Sequence, residues 1–299
     1  MPKFETTDKT GVKTAGLEET NRKAWYLVTG ANAGIGKAVV IGLAQKGLPV
    51  AMLCRNRDKA LAALNDIRSK VKDADIKLII GGLSDNADVR KSAAAILEEV
   101  PKIAALINNA GIWMMKCELN EDDIEKSFYV NCLAPFLLSN LLLERLKESA
   151  PARIVNVNAG LYVFGRLDLD RTPYGRDFSM VRSYCNSKFA GVLLTTGMAK
   201  RLEGTGITVN MLHPGVIKTG LRVTDGILGK MLKIIKLLWK SPEQGAEPVI
   251  HLAVSDEVKG VSGKFFMLKK EMPLIKKARD AALNDKLWIL SERLTGLNG

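Results

Sequence analysis

Tyr184 and Lys188 are the side chains of this chain best placed to do chemistry. They lie four positions apart in a stretch, 180–203, with helical periodicity, so they share one helix face. A phenol with its ordinary pKa of about 10 is a poor acid or base at neutral pH. An ammonium beside it favours the phenolate and lowers that value. The pair is therefore expected to work as a tuned acid–base group, which is what proton transfer at a reacting oxygen needs. Many surface helices carry Tyr and Lys at this spacing, so the elements around the pair decide what it means.

The element that gives it meaning is Trp25-Tyr-Leu-Val-Thr-Gly-Ala-Asn-Ala-Gly-Ile-Gly-Lys37. Residues 25–28 can form a buried strand, Thr29 to Gly36 a tight glycine turn, and 35–46 a helix. Gly30, Asn32, Ala33, Gly34, Ile35 and Gly36 then form a cradle in which backbone N–H groups at a helix start face an anion. The spacing is Gly30-x-x-x-Gly34-x-Gly36, a variant of the standard dinucleotide fingerprint.

Strand–helix alternation continues along the chain. Strands are expected at 48–54, 75–80, 103–107, 152–157, 206–212 and 264–268. Helices are expected at 58–71, 85–99, 121–131, 135–148, 180–203 and 242–254, and a loop at 160–178. This is the pattern of an α/β fold, a doubly wound, Rossmann-type parallel sheet of seven strands in a single domain. Residues 1–22 read as an N-terminal arm and 23–270 as the dinucleotide-binding and catalytic domain, with a substrate lid near 217–240. A C-terminal helical tail occupies 271–299, its helix expected at 274–295 with Ala278, Ala281, Ala282, Trp288, Ile289 and Leu294 available for docking.

The second strand ends in Cys54-Arg55-Asn56-Arg57. In a dinucleotide fold this end reaches the adenosine ribose, and basic residues there suit the extra phosphate of NADP rather than NAD. Arg55, Asn56 and Lys37 are the candidates. Asn108-Asn109-Ala110-Gly111 closes the fourth strand with small residues that would let a cofactor lie across the sheet edge. His213-Pro214-Gly215 closes the sixth, followed by Val216 and Thr219 as further cofactor contacts; His213 reads equally as a packed histidine. With a cofactor seated, a hydride would reach a carbonyl carbon while Tyr184 protonates the oxygen. Lys188 would tune Tyr184 and hold the nicotinamide ribose.

In combination, these motifs resemble the short-chain dehydrogenase/reductase superfamily. They are Thr29-Gly-x-x-x-Gly34-x-Gly36, Asn108-Asn-Ala-Gly111, Asn131, Tyr184-x-x-x-Lys188 and Pro214-Gly215. Leu53-Cys-Arg-Asn56, Arg153-Ile-Val-Asn-Val157, Ser183-Tyr-Cys-Asn-Ser-Lys188 and Leu212-His-Pro-Gly215 are similar more narrowly to its retinol dehydrogenase branch. The resemblance implies an oxidoreductase that binds NADP or NAD and interconverts an alcohol with an aldehyde or ketone; the basic end of the second strand points to NADP(H) in preference to NAD(H), and the apolar positions of 226–240 to a lipophilic aldehyde or ketone. It implies a water-linked relay through Asn131 and Lys188, and a homodimer formed by helices matching 121–148 and 180–203.

Two departures stand out. The family usually places a serine at the position of Ala159, where its hydroxyl holds the substrate oxygen; alanine has no donor, and Asn158 or Tyr162 would have to supply one. The acid that commonly bonds the adenine amine is replaced by Gly82, leaving the Leu83 backbone contact. The alternative function is therefore a cofactor-binding homologue with weak or no catalysis and a regulatory or binding role.

A net charge of +12 raises nucleic acid as a partner, but the basic residues are dispersed and no recognition motif accompanies them. Cys54, Cys117, Cys132 and Cys185 have no metal-ligand spacing and suit a reducing, cytoplasmic setting, with no metal expected. Residues 226–240 alternate apolar and lysine positions. That pattern suits a lid over a lipophilic substrate, a peripheral membrane contact, or a helix packed on the core.

Overall fold

A computed structural model describes residues 24–215 and 241–297. The chain begins with β1 (Trp25–Thr29), α1 (Gly34–Gln45), β2 (Val50–Cys54), α2 (Arg57–Lys70), β3 (Ile76–Ile80), α3 (Asn86–Glu99) and β4 (Ile103–Asn108). A helical run then passes through Lys126–Phe128 and a π-turn at Tyr129–Leu133 into α4 (Ala134–Leu141) and α5 (Leu143–Glu148). After β5 (Ala152–Val157) come α6 (Met180–Arg201), β6 (Ile207–His213), α7 (Pro242–Val254), β7 (Phe265–Met267), β8 (Lys270–Met272) and α8 (Ala281–Thr295).

The sheet order is β3-β2-β1-β4-β5-β6-β7-β8, parallel through β7. The expected seven parallel strands gain an eighth, antiparallel one, because the chain reverses after Met267 and pairs Phe265 with Met272. Apolar residues alternate between the two faces. Leu27, Leu106, Ile154 and Val209 face α3, α4 and α6, while Val28, Ile107, Val155 and Leu212 face α1 and α7. Both faces are covered, so β1, β2 and β4 read as unbroken buried runs.

The strand order reverses between β1 and β4. In an open parallel sheet, the carboxyl ends beside such a reversal form the ligand crevice. The glycine turn follows β1 and Asn109-Ala110-Gly111 follows β4, so both motifs flank this crevice.

Three local expectations are corrected. The helix expected at 121–131 begins only at Lys126, because the buried Glu125 carboxylate accepts from the Ser127 and Phe128 amides as an N-terminal cap. The 160–178 loop contains two 3₁₀ turns, Gly160–Phe164 and Thr172–Tyr174. The tail helix begins at Ala281 rather than 274, with Asp280 capping the Leu283 amide. Its docking face is also different. Ala278 and Trp288 are buried as expected, Trp288 meeting the Phe136 ring edge-on at 4.8 Å, but Ala281, Ala282 and Ile289 are exposed, and Leu287 and Leu290 pack in their place. No helix among the described residues is long and apolar enough to cross a membrane. Residues 1–22, the lid 217–240, Val216 and Thr219 lie outside the described residues.

Because Leu287 is fully buried against α6, α8 acts as part of the core. Leu287→Ala should cost about 2–5 kcal/mol, seen as a lower urea midpoint. An unchanged midpoint would show that α8 is a dispensable tail.

Candidate active site

Thr29, at the end of β1, ties the two crevice loops together. Its buried Oγ1 accepts the amides of Asn109 and Ala110, each at 3.0 Å. The Asn109 side chain returns Nδ2–H to the Thr29 carbonyl at 2.9 Å. Gly36 makes this closeness possible: a Cβ there would overlap the Gly30 carbonyl oxygen and sit 2.5 Å from Asn109 Nδ2. Gly30 takes φ +65°, a conformation glycine adopts freely.

The cradle fits an anionic dinucleotide. Helix α1 opens at Ala33 with no side-chain cap, whereas α2, α3, α7 and α8 are capped by Asn56, Asp85, Ser241 and Asp280. Its first N–H groups are left for an anion. A Cβ on Gly34 would meet nothing within 4 Å, so the space above the turn is open. Asn32 and Ile35 are half-buried and Ala33 is exposed around it.

At the end of β2, Arg55 and Arg57 are exposed. Asn56 caps α2 by accepting the Lys59 amide at 2.9 Å. Lys37 points to Asp66 of α2, with Nζ 2.7 Å from Oδ2, and Lys70 joins the same carboxylate at 2.9 Å. These contacts hold the Asp66 carboxyl below its ordinary range, the hydrogen bond from Lys37 contributing most. Lys37 therefore shares its charge with Asp66. Leu83 is half-buried where the chain leaves β3.

On the other side of the crevice, α6 brings Tyr184 and Lys188 beneath the ends of β4 and β5. Lys188 Nζ donates to the Val157 carbonyl at 3.3 Å and lies 5.7 Å from the Tyr184 ring centre. A Cβ on Gly111 would come within 3.6 Å of Nζ, so the bare backbone there keeps the ammonium reachable from the crevice. Burial pulls Lys188 down to about 8, with a smaller opposing influence from Cys132.

The expectation that Lys188 lowers Tyr184 is reversed. Burial pushes the phenol up to about 12, and Cys185 adds to the rise. Desolvation decides the direction, and the ammonium 5.7 Å from the ring centre does not offset it.

Asn131 sits in the π-turn, a helical irregularity common at functional sites. Its side chain clamps the chain after Gly111: Oδ1 accepts the Ile112 amide and Nδ2 donates to the Ile112 carbonyl, both at 2.8 Å. Nδ2 also reaches Ser187 Oγ at 3.0 Å. A cavity of about 30 Å³, the size of one water, is lined by Ala110, Asn131, Cys132 and Asn158 among others.

Neither expected substitute for the hydroxyl missing at Ala159 is free. Asn158 donates Nδ2–H to the Lys188 carbonyl at 3.1 Å, and its Oδ1 accepts the Ala159 amide at 2.7 Å. Tyr162 is buried against Phe265, with ring centres 4.8 Å apart, and its phenol oxygen accepts from the Ile275 backbone. The His213 ring lies against Gly160, and its Nδ1 finds no hydrogen-bond partner among the described residues. Burial, then Lys188, holds His213 below its ordinary pKa. Pro214 is buried and Gly215 turns the chain at φ +94°. Among the described residues no cluster of His, Cys, Asp and Glu could hold a metal.

Comparison with known proteins agrees with this geometry. The short chain dehydrogenase family model matches residues 24–226. Human retinol dehydrogenase 13 is 41% identical over 278 residues, covering 91% of this chain and 84% of that protein. The chain belongs to the short-chain dehydrogenases. Within them it falls in the retinol dehydrogenase-like branch. Among solved structures, an uncharacterised protein from Mycobacterium paratuberculosis aligns with a TM-score of 0.74 and 28% identity, over 92% of this chain and 94% of that one. A short chain dehydrogenase from Burkholderia cenocepacia J2315 in complex with NADP aligns with a TM-score of 0.67 and 25% identity, over 83% and 96% of the two chains.

One residue of this short-chain dehydrogenase site carries no signal in the sequence. Trp113 stacks on Tyr184, with ring centres 4.3 Å apart and planes 9° from parallel. Its Nε1–H donates to the Met180 carbonyl at 2.9 Å, at the start of α6. The indole covers one face of the phenol and fixes its direction. Only the tertiary fold brings the two rings together. Trp113→Ala should let water reach the phenol, and Tyr184 should titrate below about 12, towards its ordinary value of about 10. Ultraviolet difference titration, with Tyr184→Phe as the blank, reads this directly; an unmoved titration would remove Trp113 from the site's electrostatics.

Proposed function

We propose that this chain is an NADP(H)-dependent oxidoreductase that reduces a lipophilic aldehyde or ketone to its alcohol. The observation that carries the reading is the buried Lys188 beside the half-buried Tyr184, reachable from the crevice across Gly111. A bound nicotinamide would supply the hydride. Tyr184, a phenol that burial keeps protonated well above neutral pH, donates its proton to the carbonyl oxygen as negative charge develops there. Lys188 holds positive charge beside the phenol, its Nζ 5.7 Å from the ring centre. A protonated phenol suits the acid required for reduction.

Arg55, exposed at the end of β2, supports NADP over NAD. The Burkholderia relative bound to NADP supports the same choice. Relatives named for retinol, a lipophilic alcohol, support the substrate class. We assign the protein to the cytoplasm, with a homodimer and a peripheral membrane contact through 226–240 as further proposals; that stretch lies outside the described residues.

A second reading, a cofactor-binding protein with weak catalysis, is favoured by one observation. Ala159 brings no donor, while Asn158 and Tyr162 are held elsewhere.

Two experiments test these readings. In calorimetric titration of the full chain, Arg55→Ala should weaken NADPH about tenfold and leave NADH nearly unchanged, because a charge-assisted phosphate contact is lost. Equal losses for both nucleotides would count against the NADP assignment. Ala159→Ser should raise kcat/KM for carbonyl reduction roughly a hundredfold by restoring one positioned donor. Unchanged turnover of every substrate already reduced would show that the alanine is not what limits the rate.

A further inference from the structure

We propose that Asp88 supplies the hydrogen-bond acceptor for the 6-amino group of the adenine of the bound dinucleotide, in place of the side chain that Gly82 lacks. The inference rests on the dinucleotide reading above and adds a residue that recognises the base.

The placement follows from the sheet. With the diphosphate at the α1 N-terminus and the ribose at the end of β2, the base extends outward over the next strand, β3, which is the edge of the sheet. The two strand exits are joined there: Cys54 pairs with Ile80, and the Gly81 amide donates to the Cys54 carbonyl at 3.0 Å. The chain leaving β3 reads Ile80-Gly81-Gly82-Leu83 and offers no side-chain polar group before Ser84.

Helix α3 fills that gap. A Cβ built on Gly82 falls on Asp88 Oδ2, 2.7 Å from Cγ and 3.2 Å from Oδ1. The carboxylate thus stands where a side chain of residue 82 would begin. Paired glycines are what allow the helix so near. Ser92, one turn after Asp88, donates Oγ–H to the Gly82 carbonyl at 2.8 Å. Asp88 is held in this pose by its own amide, which donates to Asp85 Oδ1 at 2.8 Å, and by Ser84 Oγ, which donates to Oδ2 at 2.9 Å.

Oδ1 of Asp88 has no hydrogen bond among the described residues, and the residue is half-buried at this edge. Asp85 is engaged as the cap of α3. Asp88 is therefore a fixed carboxylate with an open acceptor beside the place of the base. A carboxylate accepts only, so it pairs with an amino group and repels a carbonyl oxygen.

The experiment compares NADPH with its hypoxanthine counterpart, in which a carbonyl oxygen replaces the 6-amino group, by calorimetric titration of the full chain. The wild type should bind NADPH roughly tenfold to a hundredfold more tightly, the range for a hydrogen bond to a charged group. Asp88→Asn, which can accept from an amine or donate to a carbonyl, should bind both nucleotides with nearly equal affinity. The exchange Gly82→Asp with Asp88→Ala should restore the adenine preference, because each position then does the other's work. A purely structural role for Asp88 would lower affinity for both nucleotides alike and leave the preference intact, and that result overturns the proposal. Equal wild-type affinities overturn it too, while leaving the dinucleotide reading standing. If the folded chain binds neither nucleotide, both fall together.

Discussion

The crevice depends on the polar lacing between the end of β1 and the end of β4. Thr29 Oγ1 receives two amides from the β4 loop, and Asn109 returns its side-chain amide to the β1 exit. These groups are mostly buried, so leaving any one unpaired would cost about 1–3 kcal/mol. The lacing fixes the glycine turn relative to Gly111, which lies next to Lys188. One network therefore sets the distance between the anion cradle and the acid–base pair. Shifting either strand by a residue would orphan several buried polar groups at once, so the register is rigid where the two halves of a dinucleotide must be spanned.

Burial is the largest influence on the protonation of the pair. Tyr184 and Lys188 are both pushed towards their neutral forms, the phenol up and the ammonium down. Trp113 strengthens this on the phenol side by covering a ring face. A site of this kind gains from an anionic guest. Negative charge brought into the crevice, by a cofactor or by a developing oxyanion, returns stabilisation to Lys188 that water no longer gives it.

The fold was legible wherever local pattern decides structure. The strand–helix alternation, the glycine turn and the Tyr184–Lys188 spacing are short-range features, and each appears where its period or residue type requires. Local pattern fails where a cap, a short hairpin or a distant group decides instead. Glu125 delays a helix by capping it, and the reversal after Met267 adds a strand too short to show a period. Lys37 reads as a free charge until α2 presents Asp66 to it. Asn158 and Tyr162 read as spare donors until α6 and the Ile275 backbone engage them. Trp113 belongs to no motif, and its partner lies on a helix far along the chain. For Lys37, Tyr162 and Trp113 the deciding contact crosses between elements, and residue spacing carries no information about it.

The same distinction separates the two departures from the family pattern. Read along the chain, Gly82 and Ala159 look like equal losses, each a functional side chain shortened to little or nothing. In space they differ. Helix α3 lies against Gly82 and carries a carboxylate into the vacated volume, so the glycine permits a replacement as well as an absence. Around Ala159, Asn158 is bonded to the Lys188 carbonyl and the Ala159 amide and Tyr162 is buried, so neither takes the place of the hydroxyl. The two positions therefore differ in their neighbours: a carboxylate reaches Gly82, while Asn158 beside Ala159 is bonded to the backbone. For a protein of this architecture, nucleotide affinity and turnover need not rise and fall together, and the two must be measured separately before either is taken as a sign of the other.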